Sequence, residues 1–157
     1  MNIQIIAVGK VKEHFYRRGI EHYLIRLKPY AKINVIELQE GKTVGKDNFH
    51  ETALHEEAEE IKKNLRGDAY SIVLDAGGKK MRSEELAIFL ERLMIEGKSK
   101  IDFIIGGPDG LAKGLINNGD LCLSLSDLTF PHRMARLILL EQLYRCFKII
   151  RGEPYHR

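Results

Sequence analysis

Tryptophan is absent from this 157-residue chain, proline occurs four times and cysteine twice. The two cysteines, Cys122 and Cys146, form no CxxC pair and no zinc pattern, which leaves no framework for disulfide staples or a structural metal. Both sit in apolar stretches and read as buried free thiols. Scarce proline, with no low-complexity tract, removes any extended linker that would divide the chain. No apolar run approaches the ~20 residues that span a bilayer, so no membrane partner is expected. The opening MNIQIIAVGK lacks a basic n-region, a long apolar h-region and a small-residue cleavage site, features of an exported chain. A cytoplasmic location is therefore expected, and no metal.

What is present describes a globular protein. Apolar residues make up 44% and charged residues 30%, ordinary values for a soluble domain. The length suits one domain, 1–157, with a core of its own. Net charge is only +3, but it is unevenly distributed. Residues 10–32 hold seven Lys/Arg against two acids, and residues 132–157 hold six against two. The stretch between carries 12 basic and 18 acidic residues. Two basic ends around an acidic middle suit a polyanionic partner if the fold brings the ends together; otherwise they are a mixed, solvated surface.

Hydrophobic periodicity gives the elements. IQIIAV (3–8) reads as a strand ending at Gly9. Phe15, Ile20, Tyr23, Leu24 and Leu27 recur at helical spacing and must stop by Pro29. KINVIEL (32–38) is a second strand and GKTVGKDN (41–48) a loop. A polar helix runs from Asp47 to about Arg66. YSIVLDA (70–76) is a third strand ending in Gly77-Gly78. Ser83 can cap a helix closed by Gly97. KIDFIIGG (100–107) is a fourth strand, 108–118 at most a short helix, and 120–128 a fifth strand. Thr129 and Pro131 open a last helix reaching about Ile150. Strands alternating with helices predict an α/β fold with a mostly parallel sheet and helices on both faces.

Several attractive motifs fail. GKTVGKD is not a phosphate loop, because three residues rather than four separate Gly41 from Gly45, and Asp47 follows Lys46. In IIGGPDG (104–110), Ile105 stands where a dinucleotide fingerprint needs glycine. His50 and His55 lie about 140° apart around a helix, so HETALH is no metal motif. What survives is positional: LDAGG (74–78), IIGGPDG (104–110) and LSLSDLTFPH (123–132) all follow strands. Ligands of open α/β sheets bind beyond strand carboxyl ends, and glycine admits backbone close to a ligand. Tight turns without a ligand remain the alternative for each loop alone. The last helix offers a wide apolar surface (Met134, Leu137, Ile138, Leu140, Tyr144, Phe147), more than one sheet requires, which suggests a homodimer. Glu141, Arg145 and Lys148 share one of its faces.

Taken together, AVGK (7–10), LDAGGK (74–79), FIIGGPDG (103–110) and the whole of 123–157 through RGEPYHR resemble the small bacterial ribosomal RNA methyltransferases that modify N3 of a pseudouridine in 23S rRNA. These belong to the SPOUT, or α/β-knot, superfamily. The resemblance implies a C-terminal trefoil knot, an exception to un-knotted topology. It implies S-adenosylmethionine as cofactor, held by Leu74, Gly106, Leu125, Ser126, Asp127, Leu128, Thr129 and Phe130. It also implies a homodimer whose sites are composite, one subunit holding the cofactor while the partner's tail closes over it, with 23S rRNA or the ribosome as the second partner.

With that reaction in view, chemistry suggests roles for the tail. His156 suits a base for the imide proton, since imidazole titrates near ~6.5; the alternative is a residue that only positions the base. Tyr155 suits stacking on, or hydrogen bonding to, the target nucleobase, or simple packing. Arg136, Arg145 and Arg157 suit gripping RNA phosphates or polarising the uracil carbonyls, with exposed arginines of no role as the alternative, and Arg151 is a further candidate for the substrate. Glu141 suits orienting Arg145, or is an ordinary helix ion pair. His132 reads as structural. Two rival functions stand beside this one: a non-catalytic RNA- or ribosome-binding module, which needs the basic ends but not the glycine loops, and a small-molecule enzyme on a flavodoxin-like sheet, which needs no basic tail.

Overall fold

The computed structural model describes residues 1–41 and 49–155, the side chains of 49 and 50 excepted. Five strands, β1 (Asn2–Val8), β2 (Lys32–Leu38), β3 (Tyr70–Lys80), β4 (Lys100–Ile105) and β5 (Leu121–Ser124), alternate with five helices. The helices are α1 (His14–Leu27), α2 (Phe49–Asn64), α3 (Ser83–Ile95), α4 (Lys113–Asn118) and α5 (His132–Ile150). The strands form one sheet in the order β2-β1-β4-β3-β5, every pairing parallel.

The central strands read as unbroken apolar runs because both of their faces are covered. From β1, Ile3, Ile5 and Ala7 enter a large core; from β4, Ile101, Phe103 and Ile105 join them, with Leu139, Leu143 and Phe147 of α5 and Leu86 and Leu90 of α3. The alternate residues Ile6, Val8 and Ile104 face a smaller core with Ala58 and Ile61 of α2 and Leu115 of α4. Helices therefore cover both faces, and α5 packs on both α1 and α3. That double contact uses much of the apolar width of α5: Leu139, Leu140, Leu143, Tyr144 and Phe147 are all buried within the chain itself. No helix among the described residues is long and apolar enough to cross a membrane.

Four differences from the sequence expectation have local causes. β3 does not end at Ala76: it continues to Lys80 through an irregularity, with Leu74 and then Lys79 both opposite Leu123 of β5. The intervening residues bulge out of the sheet, with the Gly77 N–H on Asp75 Oδ1 at 2.8 Å. β5 stops at Ser124 rather than 128, because β3 offers no partner beyond Lys80 and Ser126 closes a turn, its Oγ accepting the Leu128 N–H at 3.0 Å. Ser83 does not cap α3: it is the first helical residue and donates its hydroxyl to Gln142 Oε1 at 2.6 Å, while Glu85 takes the Arg82 N–H. Phe15 is 66% exposed and off the core. The expected loop 41–48, apart from Gly41, lies outside the described residues, as does the expected start of the second helix at Asp47.

Candidate functional site

A cavity of about 590 Å³ opens at the carboxyl ends of β3, β4 and β5, within the 300–1,000 Å³ range of small-molecule sites. Its walls are the β3 bulge, the loop after β4 and the stretch between β5 and α5. The floor is apolar, with Leu74, Ile105 and Leu123. The loops bring backbone polar groups to the rim because glycine keeps the chain thin there. Gly106 is the clearest case. A Cβ on it would fall 2.6 Å from the Gly110 carbonyl carbon and 2.8 Å from Leu111 Cγ, contacts no side chain tolerates.

Seven of the eight residues expected at the cofactor line this cavity: Leu74, Gly106, Leu125, Ser126, Leu128, Thr129 and Phe130. Asp127 does not; its carboxylate turns outward to pair with Lys80. Asp75 was missed. It lines the cavity as part of the bulge, and the signal available in sequence was an acid preceding a glycine pair at a strand end. His132 and Ala135, from the first turn of α5, complete the wall. His132 is only 10% exposed, and burial, with Arg133 beside it, holds its imidazole below the ordinary histidine value. No group of three or more His, Cys, Asp or Glu suited to a metal ion occurs among the described residues.

The tail residues gather elsewhere. Tyr155 packs edge-on against Tyr144, at 4.8 Å between ring centroids, and lies under the Arg145 guanidinium at 4.9 Å. Its hydroxyl donates to Glu141 Oε1 at 3.2 Å and lies 3.3 Å from the Tyr23 hydroxyl of α1. Burial, Tyr23 and Glu141 together push the phenol far above its usual value, so it stays protonated. Glu141 in turn holds Arg145 at 2.5 Å. Glu153 fixes the preceding turn, accepting from Tyr30 at 2.6 Å and Lys148 at 2.5 Å. Arg151 is half exposed, stacks over Tyr30 at 4.5 Å and donates to the Pro29 carbonyl. Arg136 is nowhere near the surface: it is 1% exposed, paired with Glu37 and donating to the Gly9 carbonyl at 2.8 Å. It ties β1 and β2 to α5, and a guanidinium so buried and paired does not reach an RNA phosphate, contrary to the expectation from its charge. His156 and Arg157 lie outside the described residues.

An all-parallel sheet with a ligand-sized cavity at its carboxyl edge defines an α/β ligand-binding fold, and the comparisons narrow that class. Residues 1–156 match the family described as "Predicted SPOUT methyltransferase". The chain is 50% identical to "Ribosomal RNA large subunit methyltransferase H" of Acetivibrio thermocellus and 48% identical to the protein of that name in Halothermothrix orenii, with the whole of both chains covered in each case. It is 46% identical, again over full length, to a protein called "Putative ribosomal RNA large subunit methyltransferase H" in Methanococcus maripaludis. A solved structure titled "The structure of a probable methylase family protein from Haemophilus influenzae Rd KW20" shares the fold at 16% identity, with a TM-score of 0.50, over 99% of this chain and 70% of that one. The chain belongs to the SPOUT methyltransferase family.

Proposed function

We propose that this protein is an S-adenosylmethionine-dependent methyltransferase acting on N3 of a pseudouridine in 23S rRNA, within a ribosomal particle, as a homodimer with composite sites. The observation that carries the reading is the cavity, whose apolar floor and glycine-thinned rim suit an adenosine and an amino-acid arm, in a chain of this family. Leu74, Gly106, Leu125, Leu128 and Phe130 would hold the cofactor. Bound there, it supplies an electrophilic methyl group. The chain then has to hold the acceptor nitrogen in line with that methyl, exclude water and take the imide proton. Alignment alone lowers such barriers by about 7–11 kcal/mol in favourable cases. His156 is the proposed proton acceptor, with Arg157 beside it to polarise the base.

Helix geometry supports a site shared between two chains. His132 lines the cavity, while Tyr155 is anchored beside Glu141, Tyr144 and Arg145 on the same helix. At 1.5 Å per residue those anchors lie roughly 14–20 Å further along α5, and two more residues extend a chain by at most ~7 Å. A tail so anchored serves a neighbour's cavity rather than its own. Tyr155 is then a brace, its ring and hydroxyl both occupied; Arg145 (held in place by Glu141), Arg151 and the exposed Arg17 and Arg18 of α1 would face the RNA.

Complementation tests this directly. Removal of 154–157 abolishes methylation of 23S rRNA and leaves cofactor affinity intact; Gly106→Leu abolishes cofactor binding. Mixed dimers of the two recover activity, since one of their two sites has both parts. No recovery in mixed dimers would reject the composite site. A chain that binds rRNA but not the cofactor, by calorimetry, would be the non-catalytic module instead.

A further inference from the structure

Beside the cofactor cavity lies a second hollow, of about 260 Å³, lined by Lys10, Lys12, Gln39, Glu40 and Arg133. It is built at the same carboxyl edge, one strand pair further out. Gly9 ends β1 in a left-handed conformation, φ +89°, and the turn carries Lys10 and Lys12 outward. The two spaces meet at His132: it lines the larger, and its Nε2 stands 3.6 Å from Glu40 Oε1, which lines the smaller.

Two features distinguish this hollow from an ordinary surface dip. First, Lys10 and Lys12 are exposed and have no ion-pair partner among the described residues. Arg133, by contrast, pairs with Glu13 at 2.7 Å and approaches Glu40 at 3.8 Å. Two lysines and an arginine against Glu13 and Glu40 leave one uncompensated positive charge. Second, the wall beneath is polar and unsatisfied. The buried side-chain atoms without a partner among the described residues are Glu13 Oε2, His132 Nε2, Arg133 Nε and Arg136 Nε, all in this one cluster. Buried polar groups are normally satisfied by protein, water or a bound group, and such a concentration marks a place built to meet something polar.

We infer that the hollow of Lys10, Lys12 and Arg133 seats a phosphodiester of the substrate RNA adjoining the nucleotide that is methylated. This rests on the reading that the substrate is RNA. One surplus positive charge matches a singly charged phosphodiester; Glu40 on the wall disfavours a dianionic phosphate monoester. Proximity to the cavity gives the seat its use. A backbone phosphate gripped here, across His132, registers the neighbouring nucleotide over the methyl group, as phosphate contacts position nucleic acid without reading sequence.

The test is steady-state methylation of unmethylated ribosomal particles by Lys10→Gln/Lys12→Gln in the full chain. KM rises at least tenfold, kcat stays within twofold, and the dissociation constant for S-adenosylmethionine is unchanged. The log–log salt dependence of particle binding falls by about one, the change for a single phosphate contact. Lys10→Arg/Lys12→Arg keeps wild-type KM. Lys62→Gln/Lys63→Gln, on α2, makes the same change in net charge without moving KM. An unchanged KM and salt slope in the Lys10/Lys12 variant overturns the seat alone; so does an equal effect of the α2 control, which would mean a diffuse field, or a loss of cofactor affinity. Wild-type protein that binds the cofactor yet leaves rRNA unmethylated overturns the RNA reading and the seat with it.

Discussion

The two edges of the sheet are built on opposite terms. At the amino edge Asp102 is fully buried, and it accepts the Arg66 N–H and Nε, each at 2.8 Å. The remaining Arg66 nitrogens go to Asn2 and to the Ile101 carbonyl, and Gln4 reaches the Asn64 carbonyl at 2.8 Å. That edge is closed. At the carboxyl edge the glycine loops stay apart around a cavity, and every partnerless buried side-chain atom among the described residues is found there. The difference teaches where each kind of polar residue is spent: satisfied networks fix a fold, and unsatisfied ones wait for a ligand.

The largest effect that would break this contrast is at the closed edge. Asp102→Ala strands the Arg66 guanidinium, and removing one partner of a buried ion pair destabilises by about 3–5 kcal/mol. Urea unfolding should show that loss, while calorimetry on the folded fraction finds cofactor affinity unchanged. Altered affinity would mean the edges are coupled. At the open edge the order reverses: Gly106→Ala pushes on the Gly110 backbone, so cofactor affinity drops about 100-fold, and overpacking destabilises the fold by about 1–3 kcal/mol. A smaller change sharpens the picture at the far end of α5. Tyr155→Phe removes one hydroxyl from the Tyr23–Glu141 network, a loss of about 0.5–1.5 kcal/mol. It should lower kcat severalfold and leave the cofactor dissociation constant alone; a stacking role for Tyr155 would survive the substitution with full activity.

How far the sequence foresaw these edges depends on the range of the interactions. Element order, the parallel sheet and the two covered faces were legible, because unbroken runs such as IQIIAV and FII announce strands buried on both sides. Glycine loops at two strand ends, LDAGG and IIGGPDG, pointed to the cavity for a local reason: glycine is required where backbone comes close. The β3 bulge was not legible, since it depends on which residues of β5 lie opposite. Nor was the burial of Arg136. Its charge argues for the surface, and only the meeting of Gly9, Glu37 and α5 in space provides it with partners. His132 reads as structural in sequence, yet stands between both hollows. A short-range code of turns and periodicities carries no information on such meetings, which join residues about a hundred positions apart.

His132 provides the mildest test of the contrast. Burial first, then Arg133 and, to a smaller extent, Arg136 disfavour its charged form, while Glu40 and Glu13 oppose them, and the balance lowers its affinity for a proton below that of a free imidazole, near ~6.5. The unfolded chain therefore binds this proton more readily than the folded one. Where the unfolded state holds more protons, stability rises with pH. His132 thus destabilises nothing above about pH 7.5, and its protonation erodes the folded state as pH falls through ~6.5 and beyond. His132→Gln cannot titrate. The unfolding free energy of wild type relative to this variant should accordingly decline between pH 7.5 and 5, measured by urea unfolding at fixed ionic strength. Parallel profiles would mean that water already reaches the imidazole, in which case the carboxyl edge is solvated rather than waiting, and the difference between the two edges loses its electrostatic half.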